Sequence, residues 1–205
     1  MQSLSTVGNA TLIAYDEETP IISTDPWFGD EDHAYFGSWT LSHAIPQKYK
    51  KDILDSKYIW FSHGHPDHLN PLSLKRLEGK NLLLPDHVGS RIYQDLSKKN
   101  FNIDVLPDRK WIQLSKQIRV MCITTILQDS ILLIDIAKRL FINLNDAGTR
   151  GATSFIKQES KNFQDVYLLS LSGYGDADMI NCYDKNGKFI IPPAKNNTRV
   201  GEQLS

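Results

Sequence analysis

The sequence predicts an α+β protein folded as a four-layer α/β/β/α sandwich, with residues 1–205 forming a single domain. Two observations carry this expectation. Short apolar strands come in runs separated by turn chemistry, and helical segments fall between the later strands. Two sheets with helices on their outer faces satisfy that order better than a doubly wound parallel sheet. A chain of 205 residues can bury the core such a sandwich needs.

Residues 10–15 (ATLIAY) and 20–27 (PIISTDPW) read as two strands joined by the acidic turn DEET. Residues 46–56 (PQKYKKDILDS) predict a helix with Pro46 in its first turn and Tyr49, Ile53 and Leu54 at helical spacing. The short apolar run at 57–62 (KYIWFS) is the pattern of a strand buried on both faces. Residues 70–79 (NPLSLKRLEG) predict a helix with Asn70 as N-cap, Pro71 next and Gly79 as terminator. Further strands are expected at 81–85, 104–107, 119–126, 130–136, 139–144 and 165–171. Helices are expected at 86–100, with Asp86 as cap, and at 151–163, with Thr153 or Ser154 as cap.

Composition narrows the functions. The formal net charge is −1, from 23 basic and 24 acidic residues, so there is no electrostatic footprint for nucleic acid or an anionic membrane. The basic clusters KYKK (48–51) and SKKN (97–100) read as solvated helix faces. The N-terminus lacks the basic and long apolar regions of a signal peptide, and no apolar run approaches the roughly 18 residues of a membrane helix. Cys122 and Cys182 stand far apart, which favours reduced core residues and a cytoplasmic setting over a disulfide. The expected partner is a small-molecule substrate.

Half of the six histidines lie in one segment, SHGHPDH, directly after the buried strand. Side chains two apart on an extended segment point the same way, so His63 and His65 can converge on one ion. A turn over Gly64–Pro66 would swing Asp67 and His68 toward a second position. Imidazole and carboxylate suit zinc, iron or manganese alike.

This H-x-H-x-D-H segment resembles the signature of the metallo-β-lactamase fold superfamily. IISTDPWF resembles the superfamily's early strand ending in an aspartate, here Asp25, and LFINLNDAG its strand-end motif, here Asp146. DSILLID, TDPWFGDEDHAYFGSWTLSH and SGYGDADMINCYD resemble the branch related to CMP-N-acetylneuraminate hydroxylase and the ascorbate-phosphate lactonases. The resemblance implies a dinuclear centre of two divalent ions, zinc first and iron as the alternative. His63 and His65 would hold one ion, Asp67 and His68 the other, and Asp146 would bridge them. Asp146 also reads as a turn residue before Ala-Gly, and Asp25 as either a histidine orienter or a plain turn residue.

The chain departs from the pattern in its later histidines. Hydrolytic members have one near the position of TTILQDS and another near the C-terminus; here the only histidine after His68 is His87, read as a helix cap or pocket lining. Gln128 and Asp129 are the candidates at 124–130. A carboxylate there accompanies two irons and oxygen activation in some members, although Asp129 also reads as the residue opening the next strand. Asp176 and Asp178 are the nearest acids for the last position, and Tyr174 could offer a hydroxyl toward substrate; SGYGDAD also reads as a Gly-rich turn. The ending suggests a C-terminally shortened form.

The aromatic, acidic stretch 25–39, with Trp27, Phe28, His33, Tyr35, Phe36 and Trp39, fits either a loop closing over substrate or a roof on the core. His33 and His43 are isolated. The leading expectation is a metal-dependent hydrolase of a small-molecule ester, lactone or phosphoester, acting through a metal-bound hydroxide with Asp67 and Tyr174 as catalytic residues. The alternatives are a di-iron oxygenase of amino-sugar or natural-product metabolism, and a degenerate metal-binding protein without turnover.

Overall fold

Apolar side chains two residues apart share one face of a strand, and that alternation sorts this chain into three packed interfaces. A computed structural model describes residues 2–41, 43–149 and 151–170, with the backbone alone at Ser170. The first sheet contains β1 (Ser3–Gly8), β2 (Thr11–Asp16), β3 (Thr19–Thr24), β6 (Tyr58–Trp60), β7 (Asn81–Pro85) and β8 (Asn102–Leu106), in that spatial order. β1, β2 and β3 pair antiparallel, and β3 onward is parallel. Parallel neighbours need crossovers. These carry α1 (Gln47–Asp55), α2 (Pro71–Lys75) and α3 (Arg91–Leu96). A short hairpin, β4 (His33–Ala34) with β5 (Trp39–Thr40), precedes α1.

The second sheet runs β13-β12-β11-β10-β9. Its members are β9 (Trp111–Gln113), β10 (Ile118–Thr124), β11 (Ser130–Ile136), β12 (Arg139–Asn145) and β13 (Asp165–Ser170), with α4 (Thr153–Ser160) before the last. Among the described residues, only β12 and β13 pair in parallel within it.

Packing gives the four layers expected. Ile13, Ile59, Phe61, Leu82 and Leu84 face outward onto Ile53, Leu74 and Leu96 of the helices. The intervening Ala14, Trp60 and Leu83 face inward, meeting Val120, Cys122, Leu132 and Ile134 of the second sheet. That sheet's other face, with Met121, Ile131, Leu133 and Ile142, packs against Ile156 of α4. Ile59, Trp60 and Phe61 are all fully buried, as their unbroken apolar run predicts. Cys122 is a core thiol that burial pushes up to about 12. Cys182 lies outside the described residues. No helix among the described residues is long and apolar enough to cross a membrane.

Several boundaries differ from expectation. The strand expected at 20–27 stops at Thr24, because Asp25 takes φ +40 and turns the chain out of the sheet. The helix expected from Asp86 begins at Arg91 without a side-chain cap, and Asp86 is solvent-exposed. Neither Thr153 nor Ser154 caps α4; Ala152 occupies that position and Thr153 donates to the Thr149 carbonyl instead. Pro46 sits one residue ahead of α1, its carbonyl accepting from Tyr49 and Lys50. Asn70 caps α2 as expected, accepting from Leu72 and Ser73 N–H, and Gly79 takes φ +81 beyond the helix end.

Candidate metal centre

The strand β6 delivers the motif to the rim of the sandwich, where loops from both sheets converge. After Phe61 the backbone turns, and His68 N and Leu69 N close on the His65 carbonyl at 3.0 and 2.8 Å. The turn is tethered from outside. Asn70 Nδ2 donates to the Pro66 carbonyl at 2.9 Å, and Asn9 Nδ2 to the Asp67 carbonyl at 2.9 Å.

Asp25 organises the interior of the site. Its wholly buried carboxylate accepts from Ser62 N at 2.7 Å, Ser62 Oγ at 2.8 Å and Asn145 Nδ2 at 2.7 Å, and lies 3.1 Å from His68 Nδ1. The histidine-orienting reading of Asp25 therefore holds in this geometry. With Nδ1–H directed at Asp25, Nε2 is the ring atom left to face a metal. That atom is buried without an ordinary hydrogen bond, 3.4 Å from Asp67 Oδ2 and 3.5 Å from Asp146 Oδ2.

His63 is oriented by a second relay. Its Nδ1 lies 2.8 Å from Ser62 Oγ, whose own proton goes to Asp25, so Nδ1 is the donor. Nε2 is then the lone-pair atom, 2.8 Å from His65 Nδ1 and 3.8 Å from Asp146 Oδ2. Burial, reinforced by the neighbouring His68, lowers the His63 imidazole to about 4, keeping it neutral as ligation requires. His68 responds oppositely. Burial pulls it down, but Asp146 and Asp25 outweigh this and hold it up at about 11. The carboxylates surrounding it call for a positive charge, which a proton supplies when no metal does.

Ligand-type atoms of His63, His68 and Asp146 lie within 4.8 Å of one another, one candidate metal site among the described residues. An ion bound at about 2.1 Å holds neighbouring ligand atoms about 3.0 Å apart at right angles and about 3.4 Å apart at tetrahedral angles. Within the trio Asp146 Oδ2 lies 3.5 Å from His68 Nε2 and 3.8 Å from His63 Nε2, slightly wider than the tetrahedral spacing, so two imidazoles and a carboxylate fit a metal in donor type and come close to its spacing.

The other predicted residues attach to this cluster individually. His65 reaches it through His63, and Asp67 through His68. Asp129 Oδ1 lies 3.3 Å from Nδ1 of His63, on the ring edge away from the Nε2 cluster. Burial raises its carboxyl to about 7. His87, read as a helix cap or pocket lining, does not cap α3 but lines a small cavity with Leu84, Ile92 and Tyr93, apart from the cluster; it is buried, with Nε2 2.8 Å from Ser130 Oγ. Tyr174, Asp176 and Asp178 lie outside the described residues.

Sequence reading missed Ser62 and Asn145, the two polar residues that complete the Asp25 hub. It also assigned no role to the Tyr35 hydroxyl, which donates to Asp67 Oδ1 at 2.9 Å. The stretch 25–39 divides in two. Trp27 and Phe28 roof the core, while Phe36 and Trp39 are exposed on the hairpin.

No protein-family model matches the chain. Among curated proteins, it is 31% identical over 103 residues to cytidine monophosphate-N-acetylneuraminic acid hydroxylase of Gorilla gorilla gorilla, covering 47% of this chain and 17% of that protein. The corresponding hydroxylase of Asterias rubens is 33% identical over 108 residues, covering 49% of this chain and 16% of that protein. The chain thus spans less than a fifth of the length of these two relatives. Among solved structures, a diiron β-hydroxylase from Streptomyces venezuelae superposes with a TM-score of 0.61 at 15% identity, covering 86% of this chain and 35% of that one. An isothiocyanate hydrolase from Delia radicum gut bacteria gives a TM-score of 0.59 at 16% identity, covering 100% of this chain and 81% of that one. At such identities the likeness is one of fold, the metallo-β-lactamase-like α/β/β/α sandwich.

Proposed function

We propose that the chain is a metal-dependent hydrolase acting on a small-molecule ester, lactone or phosphoester at a dinuclear centre. The observation that carries this reading is the convergence of His63, His68 and Asp146 within 4.8 Å at the end of a buried strand. Bound there, divalent ions would supply a Lewis acid and a water acidified to a pKa of about 7 in the best cases. His63 offers a neutral Nε2 held in place by Ser62, and His68 an Nε2 fixed by Asp25. Asp146 Oδ2 lies 3.8 and 3.5 Å from those two nitrogens, where one carboxylate can serve two ions. His65 would complete the first position with His63, and Asp67 the second with His68.

A second reading, a di-iron oxygenase, is favoured by one feature. Asp129 supplies a carboxylate beside His63 in the segment where hydrolytic relatives carry a histidine. Asp129 meets His63 at Nδ1 and not at the Nε2 cluster, so it would have to swing round the ring to add an oxygen donor, the donor type that suits iron. The sequence similarity to hydroxylases and the fold likeness to a diiron β-hydroxylase support this reading too.

Metal analysis of protein purified without added metal separates the two, followed by assay on an ester, lactone and phosphoester panel. About two zinc per chain with turnover of one of these classes is the expected result. Two irons with a near-ultraviolet oxo absorption would replace the hydrolase by the oxygenase. Less than half an equivalent of any metal would sink both and leave a degenerate protein.

A further inference from the structure

Two loops that touch the candidate ligands, and a third tied to one of them, raise large apolar side chains into solvent. The hairpin that places the Tyr35 hydroxyl on Asp67 carries Phe36, which is fully exposed, and Trp39, 45% exposed. The turn leading into Asp129 carries Ile126 at 98% and Leu127 at 67% exposure. Gln128 of that turn donates to the carbonyl of Val88, itself 84% exposed. Consecutive Cα atoms are about 3.8 Å apart, so Phe36 is one residue from Tyr35, which bonds Asp67, and Ile126 and Leu127 are three and two residues from Asp129, which contacts His63.

Singly, exposed apolar residues need no explanation. Here they cluster on loops around one site, and the hairpin bears strain to present them. Tyr35 and Phe36 take φ of +47 and +58, a region bulky side chains seldom adopt. Tyr35 also stacks edge-on with Trp39 at 4.8 Å, forming an aromatic wall above Asp67. Nothing in the core uses Phe36.

We infer that these tips form an apolar collar for an alkyl or aryl portion of the substrate whose polar head meets the metal cluster. The inference rests on the metal-centre reading above and narrows its substrate class to those small-molecule esters, lactones or phosphoesters that bear a hydrophobic tail.

Hydroxamates of increasing chain length test it, because the metal-binding head stays constant while the tail grows. Zinc-loaded protein is titrated calorimetrically with acetohydroxamate and octanohydroxamate. Each fully buried methylene tightens binding about fourfold, so a partly covered tail is expected to give octanohydroxamate at least a tenfold advantage. In the triple variant Phe36→Ser, Ile126→Ser, Leu127→Ser, the ratio of the two affinities is expected to fall toward one. These positions are exposed, so circular dichroism should match the parent. Equal affinities for both hydroxamates in the parent would overturn the collar. So would an unchanged ratio in the variant, or loss in that variant only of co-sedimentation with neutral phosphatidylcholine vesicles. No binding of acetohydroxamate at all would overturn the metal-centre reading itself, and the collar with it.

Discussion

The carboxylate of Asp25 and Nδ1 of His68 meet at 3.1 Å with both side chains wholly buried, although 43 residues separate them. The contact sets the ring's orientation, because Asp25 is itself fixed by two bonds from Ser62 and one from Asn145. Asn145 belongs to β12 of the second sheet, so the hub joins both sheets as well as both histidines. Its backbone bears a cost: φ is +40 at Asp25 and +53 at Asn145. Such conformations persist where surrounding contacts over-determine them.

Replacing Asp25→Asn keeps the shape and removes the charge that receives the His68 proton. Outer partners of this kind contribute about 10–100-fold to metal affinity. Zinc affinity, read by competition with a chromophoric chelator, is expected to fall by that factor. Parent affinity in the variant would remove Asp25 from the orienting role.

Asp146 and His65 make different contributions to loading. Asp146→Asn leaves one neutral oxygen where a carboxylate could serve two ions, so loading is expected to drop from two equivalents to one or fewer. His65→Ala removes the atom 2.8 Å from His63 Nε2 and is expected to abolish loading. Elemental analysis after gel filtration measures both. Full retention of metal by His65→Ala would contradict the proposed ligand set.

The legibility of this chain follows the range of each interaction. Strands 81–85 and 130–136 were readable to the residue, since continuous apolar runs between turn residues need no distant partner. β1, with only Leu4 and Val7 apolar, is a strand because β2 pairs with it, and no local pattern announces it. The H-x-H-x-D-H candidates were legible because they are contiguous. The Asp25 hub was only half legible, because its donors are spread from Ser62 to Asn145, the latter 120 residues away. An Asp before Pro looks the same whether it orients a histidine or merely turns the chain.

His63 and Asp129 should give the metal-free protein opposing responses to acid. Between pH about 4 and 6.5 the unfolded chain protonates His63 and the folded chain does not, so this group makes stability rise with pH. Asp129 is held up to about 7, so in that window the folded state keeps a proton that the unfolded state loses, and stability falls with pH. In the parent the two oppose each other. Relative to the parent, Asp129→Asn is expected to show a steeper rise in urea midpoint with pH, and His63→Gln a fall. Identical slopes in both variants would contradict these assignments.

Asn70 couples the helix cap to the geometry of the metal loop. Its Oδ1 accepts from Leu72 and Ser73 N–H at 3.1 and 3.0 Å, while Nδ2 donates to the Pro66 and His33 carbonyls at 2.9 and 3.0 Å. One buried side chain thereby ties α2, the turn carrying His65 to His68, and the hairpin carrying Tyr35. A cap contributes about 1 kcal/mol and each hydrogen bond about 1 kcal/mol. Asn70→Ala should cost about 3 kcal/mol by urea denaturation, whereas Asn70→Ser, which can still cap, should cost about 2 kcal/mol. Both should weaken zinc binding to a similar degree, because both release Pro66 and His33. A serine variant with full zinc affinity would confine Asn70 to capping and leave the loop held by Asn9 alone.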